Sequence, residues 1–289
     1  MTHNETMPNR IVWITDPHLN HVPVQAWDQM ISQVVQNNPD SIVITGDISE
    51  GDDVVFQLNR IAEAIAVPIH FVLGNHDFYH SSIAKTRRDV VDAARSNPLL
   101  NFLTDSGPIQ FADDVFLIGD DGWGDATAGD YENSPVRLND FARIEDFYLR
   151  HPKHWKEMLI QQGVASASRL NEKLNSLPET TRHVIVATHV PPFCESCWYE
   201  GKTTDENWAP FFVCGQVGEV LKRASQSNTK RQHTVLCGHT HHDGIANISD
   251  NLIVYTGAAQ YGKPGVEGVV MVQDGEMEVI LSVDQRKEL

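Results

Sequence analysis

Apolar residues fall along this chain in short blocks separated by polar punctuation. β-Branched runs recur at Ile11–Thr15 (IVWIT), Ser41–Thr45 (SIVIT), Ile69–Leu73 (IHFVL), Val115–Ile118 (VFLI), His183–Thr188 (HVIVAT), Thr234–Cys237 (TVLC) and Leu252–Thr256 (LIVYT). Continuous apolar runs of this length predict strands buried on both faces. Between them, Val24, Trp27, Ile31, Val34 and Val35 repeat at helical spacing, as do Val54, Leu58, Ile61, Ala62 and Ile65. Leu170, Leu174 and Leu177 mark another helix, and Val217–Ala224 a shorter one. Strands alternating with helices predict parallel βαβ units. Near the end, Gly268–Val272 and Met277–Val283 flank Gln273-Asp274-Gly275-Glu276, an Asp-Gly hairpin signature, so mixed sheets are expected.

Two stretches break the rhythm. Asp120–Gln162 opens after Gly119 with Asp120-Asp121-Gly122-Trp123-Gly124-Asp125 and then turns aromatic and charged. Pro191–Cys214 carries Trp198, Tyr199, Trp208, Phe211 and Phe212. Long irregular segments in compact domains tend to be functional loops, and both are expected on the substrate side. No internal repeat, low-complexity tract or linker is evident, and one domain over residues 1–289 is expected.

Composition narrows the classes. With 41% apolar and 21% charged residues the chain is globular, neither disordered nor fibrous. Its formal net charge of −17 supplies little of the cationic surface that drives binding to duplex nucleic acid or anionic membrane. No run approaches the roughly 18 apolar residues of a membrane span. The opening Met1–Arg10 is polar, unlike a signal peptide, and Cys194, Cys197, Cys214 and Cys237 make no dense framework, so a reduced, cytoplasmic setting is expected.

The polar residues at the strand ends carry the chemistry. IVWIT runs into Asp16-Pro17-His18, SIVIT into Gly46-Asp47, and IHFVL into Gly74-Asn75-His76-Asp77. HVIVAT runs into His189-Val190-Pro191, and TVLC into Gly238-His239-Thr240-His241. Ligand sites of open α/β sheets lie beyond the carboxyl ends of the strands. Taken singly each motif is an ordinary turn or a satisfied buried histidine; their conjunction at one rim is not. Oxygen and imidazole donors without thiolate suit Mn, Fe, Zn, Co or Ni. The set is too large for one ion with an open position, and suits two sharing a bridging carboxylate.

The ordered set Asp16-x-His18, Gly46-Asp47, Gly74-Asn75-His76-Asp77, His189 and Gly238-His239-x-His241 resembles the calcineurin-like metallophosphoesterase family, with no motif missing. The resemblance implies a four-layer α/β/β/α sandwich of two mixed sheets flanked by helices. It implies two divalent or trivalent ions, one held by Asp16, His18, His241 and the shared Asp47, the other by Asp47, Asn75, His189 and His239. His76 would face the substrate as general acid or transition-state donor, and Asp77 would hydrogen-bond the His76 ring. The implied reaction is hydrolysis of a small phosphomonoester, phosphodiester or nucleotide by a metal-bridging hydroxide, with no covalent enzyme intermediate.

The alternative is a non-catalytic scaffold that keeps the fold for protein interaction. It offers no reason to cluster polar groups that are costly to bury. His21, His242 and Asp243 sit beside ligands in sequence and read as loop residues or as outer partners of the ligands. Cys194 and Cys197 form a lone Cys-x-x-Cys, which is weak grounds for a zinc site. Asp120, Asp121 and Asp125 do not match calcium-loop spacing. Trp123, Trp198, Tyr199 and Trp208 are candidate pocket walls.

Overall fold

A computed structural model describes residues 9–273 and 275–282. In chain order the strands are β1 (Asn9–Ile14), β2 (Ser41–Thr45), β3 (Ile69–Val72), β4 (Leu100–Phe102), β5 (Ile109–Ala112), β6 (Val115–Gly119) and β7 (His183–Ala187). They continue with β8 (Trp198–Tyr199), β9 (Lys202–Thr203), β10 (Gln232–Cys237), β11 (Gly244–Ser249), β12 (Leu252–Thr256), β13 (Gly268–Gln273) and β14 (Glu276–Leu281). Helices are α1 (Val24–Gln36), α2 (Asp53–Ile65), α3 (Ile83–Ser96), α4 (Asp140–Arg143), α5 (Glu145–Tyr148), α6 (Trp155–Ser176), α7 (Ala209–Phe212) and α8 (Gly215–Ser227).

Among the described residues two six-stranded sheets form, ordered β14-β13-β1-β2-β3-β4 and β11-β12-β10-β7-β6-β5. Strands β1 to β4 run parallel, as do β6, β7, β10 and β12, while β13, β14, β11 and β5 pair antiparallel at the edges. The mixed sheets expected from the terminal hairpin are therefore present, with Gln273 opposite Glu276. Asp274 of that turn and Val283 of the last apolar run lie outside the described residues.

The period-2 geometry of each strand sorts the layers. Ile11 and Trp13 of β1 point inward to meet Leu117, Ile185 and Leu236 of the other sheet. Their neighbours Val12 and Ile14 point outward against Trp27, Met30, Leu58 and Ile61 of the helices. On the opposite outer face Val184, Val186 and Val235 pack on Leu170, Leu174, Val217 and Leu221 of α6 and α8. The order helix, sheet, sheet, helix is the four-layer sandwich. Trp13, fully buried between the sheets, satisfies its indole by donating to Thr45 Oγ1 at 3.0 Å.

Buried ion pairs pin the start of the irregular stretch. Asp121 accepts from Leu73 N (2.8 Å) and Thr104 Oγ1 (2.7 Å) and from two nitrogens of Arg87, so it ties the end of β3 to β6. Asp120 takes a bidentate pair from Arg169 of α6. Asp125 accepts from Gln216 N at the start of α8 (2.8 Å). These three aspartates are structural clamps. The stretch expected to be irregular to Gln162 contains α4 and α5 and gives way to α6 at Trp155.

Candidate metal centre

The donors named from the sequence leave the carboxyl ends of β1, β2, β3, β7 and β10 and converge where the two sheets meet. Asp16, His18, Asp47 and His241 place ligand atoms within 4.8 Å of one another. His18 Nε2 lies 3.1 Å from His241 Nε2 and 3.7 Å from Asp47 Oδ2, and His241 Nε2 lies 3.5 Å from Asp16 Oδ1. On the other side of Asp47, His189 Nε2 sits 3.4 Å from Asp47 Oδ1, 3.2 Å from Asn75 Oδ1 and 3.1 Å from His239 Nδ1. Asp47 thus stands between two clusters, one carboxylate oxygen toward each.

Backbone geometry enforces the convergence. Asp16 (φ 45°), His18 (41°), Asp47 (51°), His239 (72°) and His241 (60°) all occupy the left-handed region. Non-glycine residues are uncommon there, and each costs on the order of 1–3 kcal/mol unless its surroundings fix it. Glycine supplies the clearance: a Cβ on Gly74 would collide with Asp47 Oδ1 and lie 2.7 Å from His189 Cε1. A Cβ on Gly238 would strike the Asp16 carboxylate.

Hydrogen bonds set the imidazole tautomers. His189 Nδ1 donates to Thr45 O (2.8 Å), leaving Nε2 as the lone-pair nitrogen toward the centre. His239 does the reverse, with Nε2 against Phe211 O (3.2 Å) and Nδ1 facing His189. Phe212 lies tilted over the His239 ring at 4.4 Å, and Tyr261 covers His18 at 4.4 Å.

The electrostatics of the cluster suit a cation. Burial drives His18 down to about 2 and holds His239 well below the ordinary histidine range, so both rings are neutral lone-pair donors. Burial, reinforced by neighbouring Asp16, pushes the Asp47 carboxyl well up. Burial opposes ionisation of Asp16 too, but His189, His241 and His18 around it hold its carboxyl well below the usual range. Burial likewise opposes a charge on His241, but its hydrogen bond to Asp16 and the charges of Asp16 and Asp47 raise it. His189 Nε2 and His239 Nδ1, each with its ring proton directed outward, face each other at 3.1 Å, a repulsion of lone pairs that positive charge between them relieves. The donor set, all nitrogen and oxygen, fits borderline-hard transition ions.

His76 and Asp77 need separate treatment. His76 edges the cleft beside the centre, with its ring stacked on Tyr79 (4.3 Å) and edge-on to His18 (4.7 Å). Burial lowers it to about 3, so the ring is neutral at pH 7. The expectation that Asp77 holds the His76 ring is not met. Asp77 is fully buried and accepts from Ser49 N (2.9 Å) and Gly74 N (2.8 Å). The 3₁₀ turn His76–Phe78 sends consecutive side chains in different directions, so Asp77 clamps the loops after β2 and β3 while His76 faces outward.

Sequence reading missed Asp140, Tyr79 and Tyr261. Asp140, at the start of α4, accepts from Asn75 Nδ2 (2.8 Å) and Tyr79 OH (2.8 Å), which turns Asn75 Oδ1 toward His189. Its one advance signal was its place in the irregular stretch. Of the remaining candidates, His21 and His242 reach Tyr261 and Tyr199 respectively. Trp123 is buried against Phe78 and does not line the large cleft. Cys197 is buried, which pushes its thiol up to about 12, and among the described residues no cysteine joins a metal-capable group.

The donors form a metal-capable cluster at the rim of a double-sheet sandwich. The calcineurin-like phosphoesterase family profile matches residues 9–243, and the chain belongs to that family. Solved structures share the fold. Phosphopantetheinyl hydrolase from Mycobacterium tuberculosis is similar at TM-score 0.64 and 13% identity, covering 89% of this chain and 91% of that one. A dimetal phosphatase from Danio rerio is similar at TM-score 0.60 and 14% identity, covering 95% and 99%. The protein TT1561 of Thermus thermophilus is similar at TM-score 0.51 and 12% identity, covering 95% and 99%. No curated protein matches the sequence.

Proposed function

We propose that the chain is a dinuclear metal-dependent phosphoesterase acting on small phosphate esters. The observation that carries the reading is Asp47, standing between two donor clusters with an oxygen toward each. Asp16, His18, Asp47 and His241 would hold one ion, and Asp47, Asn75, His189 and His239 the other, both drawn from Mn, Fe, Zn, Co or Ni. Such a pair, when bound, polarises phosphoryl oxygens and activates water for in-line attack. The dimetal phosphatase with the same fold supports this reading.

The chain's own groups do the rest. Burial keeps His18 and His239 neutral, so their lone pairs are available without prior deprotonation. Thr45 O and Phe211 O keep the donor nitrogens of His189 and His239 aimed at the centre. His76, neutral at rest, carries one N–H at the cleft edge and donates it to a phosphoryl or leaving oxygen as negative charge grows there. Tyr79, stacked on the ring, fixes its plane.

The test is turnover of p-nitrophenyl phosphate and its bis-ester by Mn-loaded protein, beside Asp47→Ala and His76→Ala. Activity above both variants supports the enzyme; none with either ester favours the scaffold alternative.

A further inference from the structure

The cleft over the centre is far larger than a phosphate needs. It encloses about 740 Å³ and extends from Asp47 and His76 past Tyr79 and Leu138 on one side and the β8–β9 hairpin on the other. One wall is an aromatic ladder that starts on a donor residue. Phe212 lies tilted over His239 at 4.4 Å, and Trp208 meets Phe212 edge-to-face at 5.5 Å. Trp208 is still 48% exposed, Tyr199 across the mouth 60% and Tyr261 48%. Three large rings left half in water around one opening is an exposed apolar patch of the kind that marks a ligand site. The patch is continuous with the reacting centre.

Charge narrows the ligand further. Beyond the centre and the buried Asp140, the charged side chains lining the cleft are Glu200, Asp205 and Lys202, an acidic balance on a chain of net charge −17. A second phosphate or a carboxylate on the substrate would face repulsion there. A neutral planar group would exchange water for ring faces along Phe212 and Trp208.

Given the phosphoesterase reading on which it rests, the geometry points to a leaving-group subsite for a neutral, ring-bearing alcohol, bounded by Phe212, Trp208 and Tyr199. The ester oxygen sits at the centre and the ring runs outward along the ladder. Hydrolysis breaks the P–O bond to that alcohol; water supplies the hydroxyl on phosphorus and the alcohol leaves with a proton.

The experiment compares kcat/KM for 2-phenylethyl phosphate, n-butyl phosphate and 2-carboxyethyl phosphate, all primary alkyl esters, with Mn-loaded protein. The matching phosphonates serve as competitive inhibitors, which reads binding apart from chemistry. The expected order is phenylethyl above butyl by about tenfold, the range open to a well-placed aromatic contact, and carboxyethyl lowest. Trp208→Ala should collapse the phenylethyl-to-butyl ratio toward one in both KM and inhibition constant, and Trp208→Phe should restore most of it. Trp208 is half exposed, so both variants should keep the wild-type melting temperature. Equal turnover of phenylethyl and butyl esters, or a ratio untouched by Trp208→Ala, overturns the subsite and leaves the phosphoesterase reading standing. Absence of turnover for every ester, p-nitrophenyl phosphate included, overturns that reading and the subsite with it.

Discussion

Asp140 is the residue whose removal the structure makes most informative. It is buried, and one oxygen accepts from both Asn75 Nδ2 and Tyr79 OH. That acceptor decides which end of the Asn75 amide faces the centre. In Asp140→Ala the amide is free to turn its NH₂ inward, where it cannot ligate, and two buried donors lose their partner. Each orphaned donor costs about 1–3 kcal/mol, so a fall in stability of about 2–6 kcal/mol is expected. Loss of an outer group that orients a ligand typically costs 10–100-fold in metal affinity. The loss should fall on one ion alone, because Asp16, His18 and His241 do not touch Asp140. Elemental analysis after dialysis against graded Mn, with thermal unfolding of the metal-free chain, reads both effects. Tyr79→Phe, which keeps the Asn75 bond, should lose about 1 kcal/mol of stability and retain both ions. An Asp140→Ala chain that holds both ions at wild-type affinity would refute the reasoning.

The same geometry sets three further outcomes. Gly74→Ala pushes a methyl into Asp47 and His189 and should abolish retention of both ions, as elemental analysis would show. Asp77→Asn keeps an oxygen for one of its two backbone donors but sets an NH₂ against the other. It should melt lower by about 1–3 kcal/mol while the pH profile of kcat keeps its shape, because Asp77 does not touch His76. His70 and His233 are buried neutral, with burial lowering both from 6.5 to about 4. The unfolded chain binds the extra proton between these values, so each histidine's contribution is present above pH 6.5 and lost as pH falls toward 4. The loss is on the order of 3 kcal/mol each, and His70→Leu should flatten that part of a urea-unfolding series against pH.

Much of the architecture was legible because the parallel strands are buried on both faces, as β2 and β6, buried at every position, show. The elements missed lack that contrast. Helix α3 buries only Ile83, Thr86 and Val90 among charged residues, so its apolar stripe is too thin to read, although Ser82 caps it by accepting from Lys85 N. Strands β4 and β5 are three and four residues long. The donors were legible because each directly succeeds a strand that pattern alone locates. Asp140 and Tyr261 were not, because Asp140 reaches the centre from the four-residue helix α4, placed by packing such as Phe141 stacked on Trp155 at 4.3 Å, and Tyr261 from a turn. The Asp77–His76 pairing implied by the resemblance is not met because both Asp77 oxygens are taken by the backbone N–H groups of Ser49 and Gly74.

The most direct measurement is the number of transition ions retained per chain. Protein loaded with Mn and passed through a desalting column should carry two, and Asp47→Ala, having lost the carboxylate between the clusters, fewer than one. Wild-type protein retaining none, or Asp47→Ala retaining two, would contradict the shared-carboxylate centre outright.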